Sequence, residues 1–246
     1  MVETKIMLPT QPVKATRVNP KRLILYSKPK VGKTSLLAAL ENNLILDFEN
    51  GSEYVDALKI PITNLTELRE VGQAIIAAGK PYTYISVDTT TALEDMAKTL
   101  ALKLYKATPM GSKFAGDNVL SLPNGAGYLY LREAFFNILD FIDTLAPNII
   151  LVGHLKDKQI ELKGKEVNAS DVDLTGKIKS LICANADAIG YIWRESNGEN
   201  WISFKSSDQI TCGARPEHLK NQEFLLSKLN LDNGQLETYW DKIYKK

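Results

Sequence analysis

Apolar residues recur along this chain in two rhythms. Short apolar runs at Arg22–Tyr26, Leu44–Asp47, Tyr82–Asp88 and Asn148–Gly153 read as buried strands. Between them, Thr34–Leu40, Leu65–Ala78, Ala92–Ala107 and Leu129–Leu145 carry helical spacing. The last of these places Leu131, Phe135, Ile138, Leu139 and Ile142 on one stripe. Gly79, with Pro81 beyond it, gives Leu65–Ala78 an ordinary helix stop. Thr108–Gly127, rich in Gly, Ser, Pro and Asn, reads as a loop.

Further along, Gln159–Val167 has the pattern of a hairpin around Lys163-Gly164, and Ile178–Ala184 is helical. Ala188–Trp193 and Trp201–Phe204 flank Asn197-Gly198, a strong short hairpin signal. Strands alternating with helices predict an α/β fold: a mostly parallel twisted sheet, helices on both faces and an antiparallel edge hairpin. Residues 1–20, with Pro9, Pro12 and Pro20, read as an irregular basic leader, 21–215 as the core, and 216–246 as a tail of two short amphipathic helices.

At 246 residues, 44% of them hydrophobic, the chain is long enough for one sizeable α/β core and too short for a second full domain. Cys183 and Cys212 form no C-x-x-C pair and read as reduced thiols, which suits a cytoplasmic protein. No apolar stretch has signal-peptide or membrane-span length, so no membrane partner is expected. Net charge is only +1, yet residues 1–40 hold eight basic residues and one acid. Such an arm can attract a phosphate backbone, or it can be plain solvated surface.

The densest chemistry lies at Ser27-Lys28-Pro29-Lys30-Val31-Gly32-Lys33-Thr34, with Ser35 following. This is the phosphate-loop pattern G-x-x-x-x-G-K-[ST], with Ser27 in place of the first glycine. Gly32 lets backbone N–H groups approach phosphate oxygens, Lys33 reaches the β- and γ-phosphates of ATP, and Thr34 supplies a magnesium ligand. Ser27 is expected to disturb the loop slightly, since glycine tolerates unusual φ/ψ best. Ile85-Ser86-Val87-Asp88 is a strand ending in a carboxylate, suited to holding Mg²⁺ with Thr34; Thr89 can share its water shell. Glu49, just past Leu46-Asp47, can orient and deprotonate an attacking water, the alternatives being a solvated acid or an N-cap. Asp47 reads as structural. His154 ends the fourth strand, where a polar side chain can touch the γ-phosphate.

With these segments, and with Ile149–Lys156, Asp173–Lys177 and Ala186–Tyr191, residues 20–215 resemble RecA-like P-loop ATPases. More narrowly, the chain looks like small phage-encoded ATP-binding proteins of AAA type, a group that includes single-strand annealing proteins. The resemblance implies that Glu49 is the catalytic glutamate and Asp88 the Walker B acid. His154 would stand for the usual sensor glutamine. It places two DNA loops at Thr108–Gly127 and Asp157–Lys177, and it matches Lys205 to a lysine that reaches a neighbouring subunit's ATP; Arg215 is a second candidate for that contact. Lys103, Tyr105, Lys106, Lys113 and Phe114 combine lysines with aromatics, as single-strand binding requires. Lys156 and Lys158 are further candidates, in a segment of mixed charge.

These readings imply a cytoplasmic ATPase, stimulated by single-stranded DNA in recombination or strand annealing. A homo-oligomeric ring or filament is expected, with a single-strand-binding protein as a further partner. Two alternatives stay open: a nucleotide-binding loader that hydrolyses little, and a P-loop small-molecule kinase. Against the kinase stand Glu49 and the absence of a lid with R-x-x-R spacing.

Overall fold

The computed structural model describes residue 8 and residues 10–162, 165–230 and 233–245. In chain order these form β1 (Arg22–Ser27), α1 (Lys33–Ala38), β2 (Asn43–Asp47), β3 (Lys59–Pro61), α2 (Leu65–Ala77), β4 (Tyr84–Asp88), α3 (Thr90–Lys106), α4 (Ala126–Ile142), β5 (Asn148–Leu162), β6 (Lys165–Val172), α5 (Gly176–Asn185), β7 (Ala188–Arg194), β8 (Glu199–Ser203), β9 (Gly213–Ala214), β10 (Glu223–Leu229) and β11 (Leu236–Thr238). Short 3₁₀ turns lie at Val119–Ser121, Pro123–Gly125 and Trp240–Lys242. The strands run in the order β11-β10-β8-β7-β1-β5-β4-β2-β3, with β6 added to β5 and β9 to β7. From β7 to β3 the pairing is parallel, and from β7 through β8 and β10 to β11 it is antiparallel.

The strand sequences explain why both faces are covered. In β1, Ile24 and Tyr26 face one core while Leu23 and Leu25 face the other. β5 splits the same way, Ile149 and Leu151 against Ile150 and Val152. Period-2 apolar runs with no polar phase require a layer on each side. α2, α3, α4 and α5 supply the first, and α1 with the C-terminal segment supplies the second. Helix ends follow their own chemistry. Asn64 caps α2 by accepting from the Thr66 and Glu67 amides, and Glu67 accepts from the Thr63 amide in return. Gly79 closes the same helix with φ +76°.

Several expectations need correction. The segment from Pro216 is not helical: it is β10, β11 and a 3₁₀ turn that continue the main sheet. The overlooked signal is Asn233-Gly234, with Gly234 at φ +71° and the Asn233 carboxamide accepting from the Gln235 amide. The fourth strand does not stop at Gly153 but runs as β5 to Leu162 and pairs with β6 as a long antiparallel ribbon. The expected turn at Lys163-Gly164 lies outside the described residues. The loop 108–127 contains two 3₁₀ turns and the first residues of α4. β3 and β9, too short to show a period, were not foreseen. The described part of the leader, residue 8 and residues 10–20, forms no helix or strand.

Candidate active site

Strand register assembles the site at one edge of the sheet. Asp47 pairs with Asp88, Asp88 with Val152, and Ser27 with His154. The carboxyl ends of β2, β4 and β1 therefore stand side by side with the stretch of β5 at His154, and a residue with chemistry to offer lies at or just past each of these positions.

At β1 the chain turns through the phosphate loop into α1. Lys30 and Gly32 take left-handed backbone, φ +63° and +97°. Ser27 does not: it is a buried strand residue, so the missing glycine costs the loop nothing. Its hydroxyl instead accepts from Lys33 Nζ at 3.0 Å and donates to the Lys28 carbonyl at 2.8 Å. Lys33 Nζ also reaches that carbonyl, at 3.2 Å. The ammonium is thus held among neutral acceptors, 8% exposed. Burial lowers its pKa, with the charges of Asp88 and Glu49 opposing the fall. Lys28, Pro29 and Lys30 are exposed, Val31 is buried, and Ser35 lies inside α1.

Thr34 Oγ1 donates to Asp88 Oδ2 at 2.7 Å. Burial raises the Asp88 pKa, and the charges of Glu49 and Asp47 add to this against Thr34 and Lys33. A hydroxyl and a carboxylate in contact are hard oxygen donors of the kind magnesium takes alongside phosphate and water. Among the described residues no cluster of three His, Cys, Asp or Glu could hold a metal by itself.

Glu49 follows β2, and Asp47 places it. The Asp47 carboxylate accepts from the Glu49, Gly51 and Ser52 amides and from the Ser52 hydroxyl. Burial pushes its pKa up, but these bonds outweigh it and leave the pKa below the usual value. Glu49 Oε1 receives the Thr89 hydroxyl at 2.5 Å and His154 Nε2 at 3.1 Å. With its proton on Nε2, His154 leaves Nδ1 a buried acceptor with no partner. Glu49, Thr89 and His154 thus form one hydrogen-bonded group and Thr34 with Asp88 another, at the same edge of the sheet as Lys33. Arg194, at the end of β7, lies on the other flank of the loop and has no motif to mark it.

A family model described as an AAA domain matches residues 19–215. The chain belongs to that family. The phosphate loop at the end of β1 and the mostly parallel sheet agree with that assignment. No curated protein matches it. Among solved structures, the crystal structure of the RadB recombinase aligns with a TM-score of 0.47 at 12% identity, over 90% of this chain and 92% of that one.

The other predicted residues lie apart from this AAA-family site. Lys205 follows β8 and faces Glu223 at 3.8 Å. Arg215 donates to the Ala184 carbonyl at 2.5 Å and faces Asp187 at 3.6 Å. Asp187 in turn accepts from the Lys21 and Arg22 amides, at the end of β1 opposite the phosphate loop. Tyr105 and Phe114 are half-buried. Their rings meet edge-on at 5.5 Å, Tyr105 also meets Tyr130 at 5.2 Å, and all three pack on the core. They brace the loop after α3. Lys156 and Lys158 sit on the β5–β6 ribbon, paired with Asp173 at 3.0 Å and Asp171 at 2.8 Å. Lys103, Lys106 and Lys113 are exposed and enter no ion pair among the described residues. Both cysteines are free thiols whose pKa burial pushes up to about 11. Among the described residues no helix is long and apolar enough to cross a membrane.

Proposed function

We propose that this protein binds ATP with magnesium at the phosphate loop and hydrolyses it with Glu49 as general base. The observation that carries this reading is the meeting of Glu49, Thr89 and His154 at the edge where Lys33 and the Thr34–Asp88 pair also stand. Lys33 turns from Ser27 and Lys28 to the β- and γ-phosphate oxygens, exchanging neutral acceptors for charged ones. Thr34 and Asp88 would hold the magnesium ion, which when bound would add positive charge at the phosphate oxygens. Glu49 takes a proton from water as its oxygen attacks the γ-phosphorus in line with the departing ADP oxygen. His154 bonds Glu49 before ATP arrives and is the group best placed to register the γ-phosphate. Lys33→Ala should reduce Mg-ATP affinity at least about tenfold, the loss of one charge-assisted contact. A calorimetric titration in which this variant binds as the wild type does would remove the phosphate-loop assignment.

A second reading adds single-stranded DNA. Favouring it are three exposed lysines without carboxylate partners among the described residues, Lys103, Lys106 and Lys113, on and just beyond the last turn of α3. With Tyr105 and Phe114 committed to packing, recognition here would be mainly electrostatic. Lys106→Ala with Lys113→Ala should flatten the dependence of log affinity on log salt by roughly 0.7 per lost phosphate contact on single strands. Fluorescence anisotropy with a labelled oligonucleotide and ATP measures this; an unchanged slope removes the segment from the DNA interface. DNA-stimulated turnover in a ring or filament belongs to this reading, with Lys205 or Arg215 touching a neighbour's nucleotide.

A further inference from the structure

The strand that flanks the phosphate loop away from Glu49 ends in an arginine without a carboxylate. Arg194 Nη2 stands 3.5 Å from where a Cβ on Gly32 would be, and Asn200 Nδ2 stands 3.9 Å from the same point. Both side chains therefore lie directly beside the loop. Arg194 Nε donates to Asn200 Oδ1 at 3.2 Å, and Asn200 Nδ2 donates to Ser227 Oγ at 2.9 Å. Asn200 is 1% exposed and Ser227 fully buried. The guanidinium is thus aimed by a buried polar relay crossing β7, β8 and β10, which pairing sets in line: Arg194 opposite Asn200, and Asn200 opposite Ser227. Its two Nη groups have no hydrogen-bond or ion-pair partner among the described residues. The neighbouring acid, Glu195, is taken by the Trp193 indole N–H at 2.8 Å.

An arginine oriented through Nε, with both Nη nitrogens free and no carboxylate paired with it among the described residues, is arranged for a bidentate anion. Its place on the sheet decides which anion. β1 lies between β5 and β7. The groups for water activation and magnesium lie on the β5 side: Glu49 just past β2, His154 within β5 and Asp88 at the end of β4. A γ-phosphate must face them. The β7 side then faces the phosphates that stay with the nucleoside.

We infer that Arg194, positioned by Asn200 and Ser227, binds the α- and β-phosphates of the nucleotide on the β7 flank of the loop. This inference rests on the nucleotide reading above and adds a ligand that the loop motif does not contain. Because the contact is to phosphates shared by ATP and ADP, Arg194→Ala should weaken both by the same factor, about tenfold for a charge-assisted bond. Arg194→Lys should recover part of the loss, keeping the charge but not the fork. The side chain is exposed, so neither variant endangers folding.

The test is calorimetric titration of wild type, Arg194→Ala and Arg194→Lys with Mg-ADP and Mg-ATP. Equal losses for both nucleotides in Arg194→Ala, with partial recovery in Arg194→Lys, are the expected result. Wild-type affinities in Arg194→Ala would overturn this inference alone. Loss of ATP affinity with ADP affinity unchanged would also overturn it, by moving the arginine to the γ-phosphate. Failure of the wild-type chain to bind either nucleotide would overturn the nucleotide reading itself, and this inference with it.

Discussion

Asp88 carries its carboxylate at a position only 7% exposed, satisfied in part by the Thr34 hydroxyl. Burial raises its pKa, so the folded chain holds this proton more tightly than the unfolded one does. The stability linked to Asp88 is therefore fully present below the ordinary carboxylate range and is lost as pH rises through the raised value. At neutral pH burial of this carboxyl is a cost to the fold, which a bound cation would offset. Asp88→Asn should raise the thermal midpoint of the nucleotide-free protein at neutral pH. The gain should shrink toward acid, and Mg-ATP binding should weaken. Thermal unfolding followed by circular dichroism across pH checks this; a lower midpoint at neutral pH would show that the Lys33 and Thr34 contacts outweigh the burial cost. Ser27 teaches a related lesson. Compared with the motif it is a departure, yet its backbone is that of a strand and its hydroxyl accepts from Lys33 Nζ.

Among the elements, α2 and α4 meet at a place where glycine is required by contact, not by φ. A Cβ on Gly72 would lie 2.2 Å from Phe141 Cζ and 2.6 Å from its Cε1. Phe141 belongs to the shell around the larger core, so it can yield only by giving up packing. Overpacking of this kind costs about 1–3 kcal/mol, and alanine's better helix propensity returns about 1 kcal/mol. Gly72→Ala should therefore lose up to about 2 kcal/mol in urea unfolding; a stabilised variant would mean that Phe141 repacks freely. Elements of this size were legible because their periods were clear. The long stripe on α4 and the buried runs of β1, β2, β4 and β5 needed no tertiary information. β10 was misread because a short segment such as Glu223–Leu229, broken by a bulge between Leu225 and Ser227, fits a helical period as well as a strand.

Across the whole molecule, the sheet does not end where the family match ends at residue 215. β10 and β11 extend it. Trp240 donates its indole N–H to the Leu36 carbonyl at 3.0 Å, so the C-terminal segment packs directly on the phosphate-loop helix. The candidate site divides by the reach of its signals. Lys33, Thr34, Asp88, Glu49 and His154 could be read from local motifs at the ends of strands, because parallel strands bring those ends to one edge. Arg194 could not, because only the pairing of β7, β8 and β10 aims it at the loop. Composition likewise does not reveal that Tyr105 and Phe114 face each other. The account stands most directly on Glu49. Glu49→Gln keeps the side chain's shape and removes the base, and general-base assistance is typically worth about 10²–10⁴-fold. The measurement is single-turnover hydrolysis of γ-labelled ATP, paired with a binding titration of the same preparation. Near-wild-type ATP affinity with hydrolysis slowed by that factor is the predicted result; hydrolysis at the wild-type rate would contradict the account.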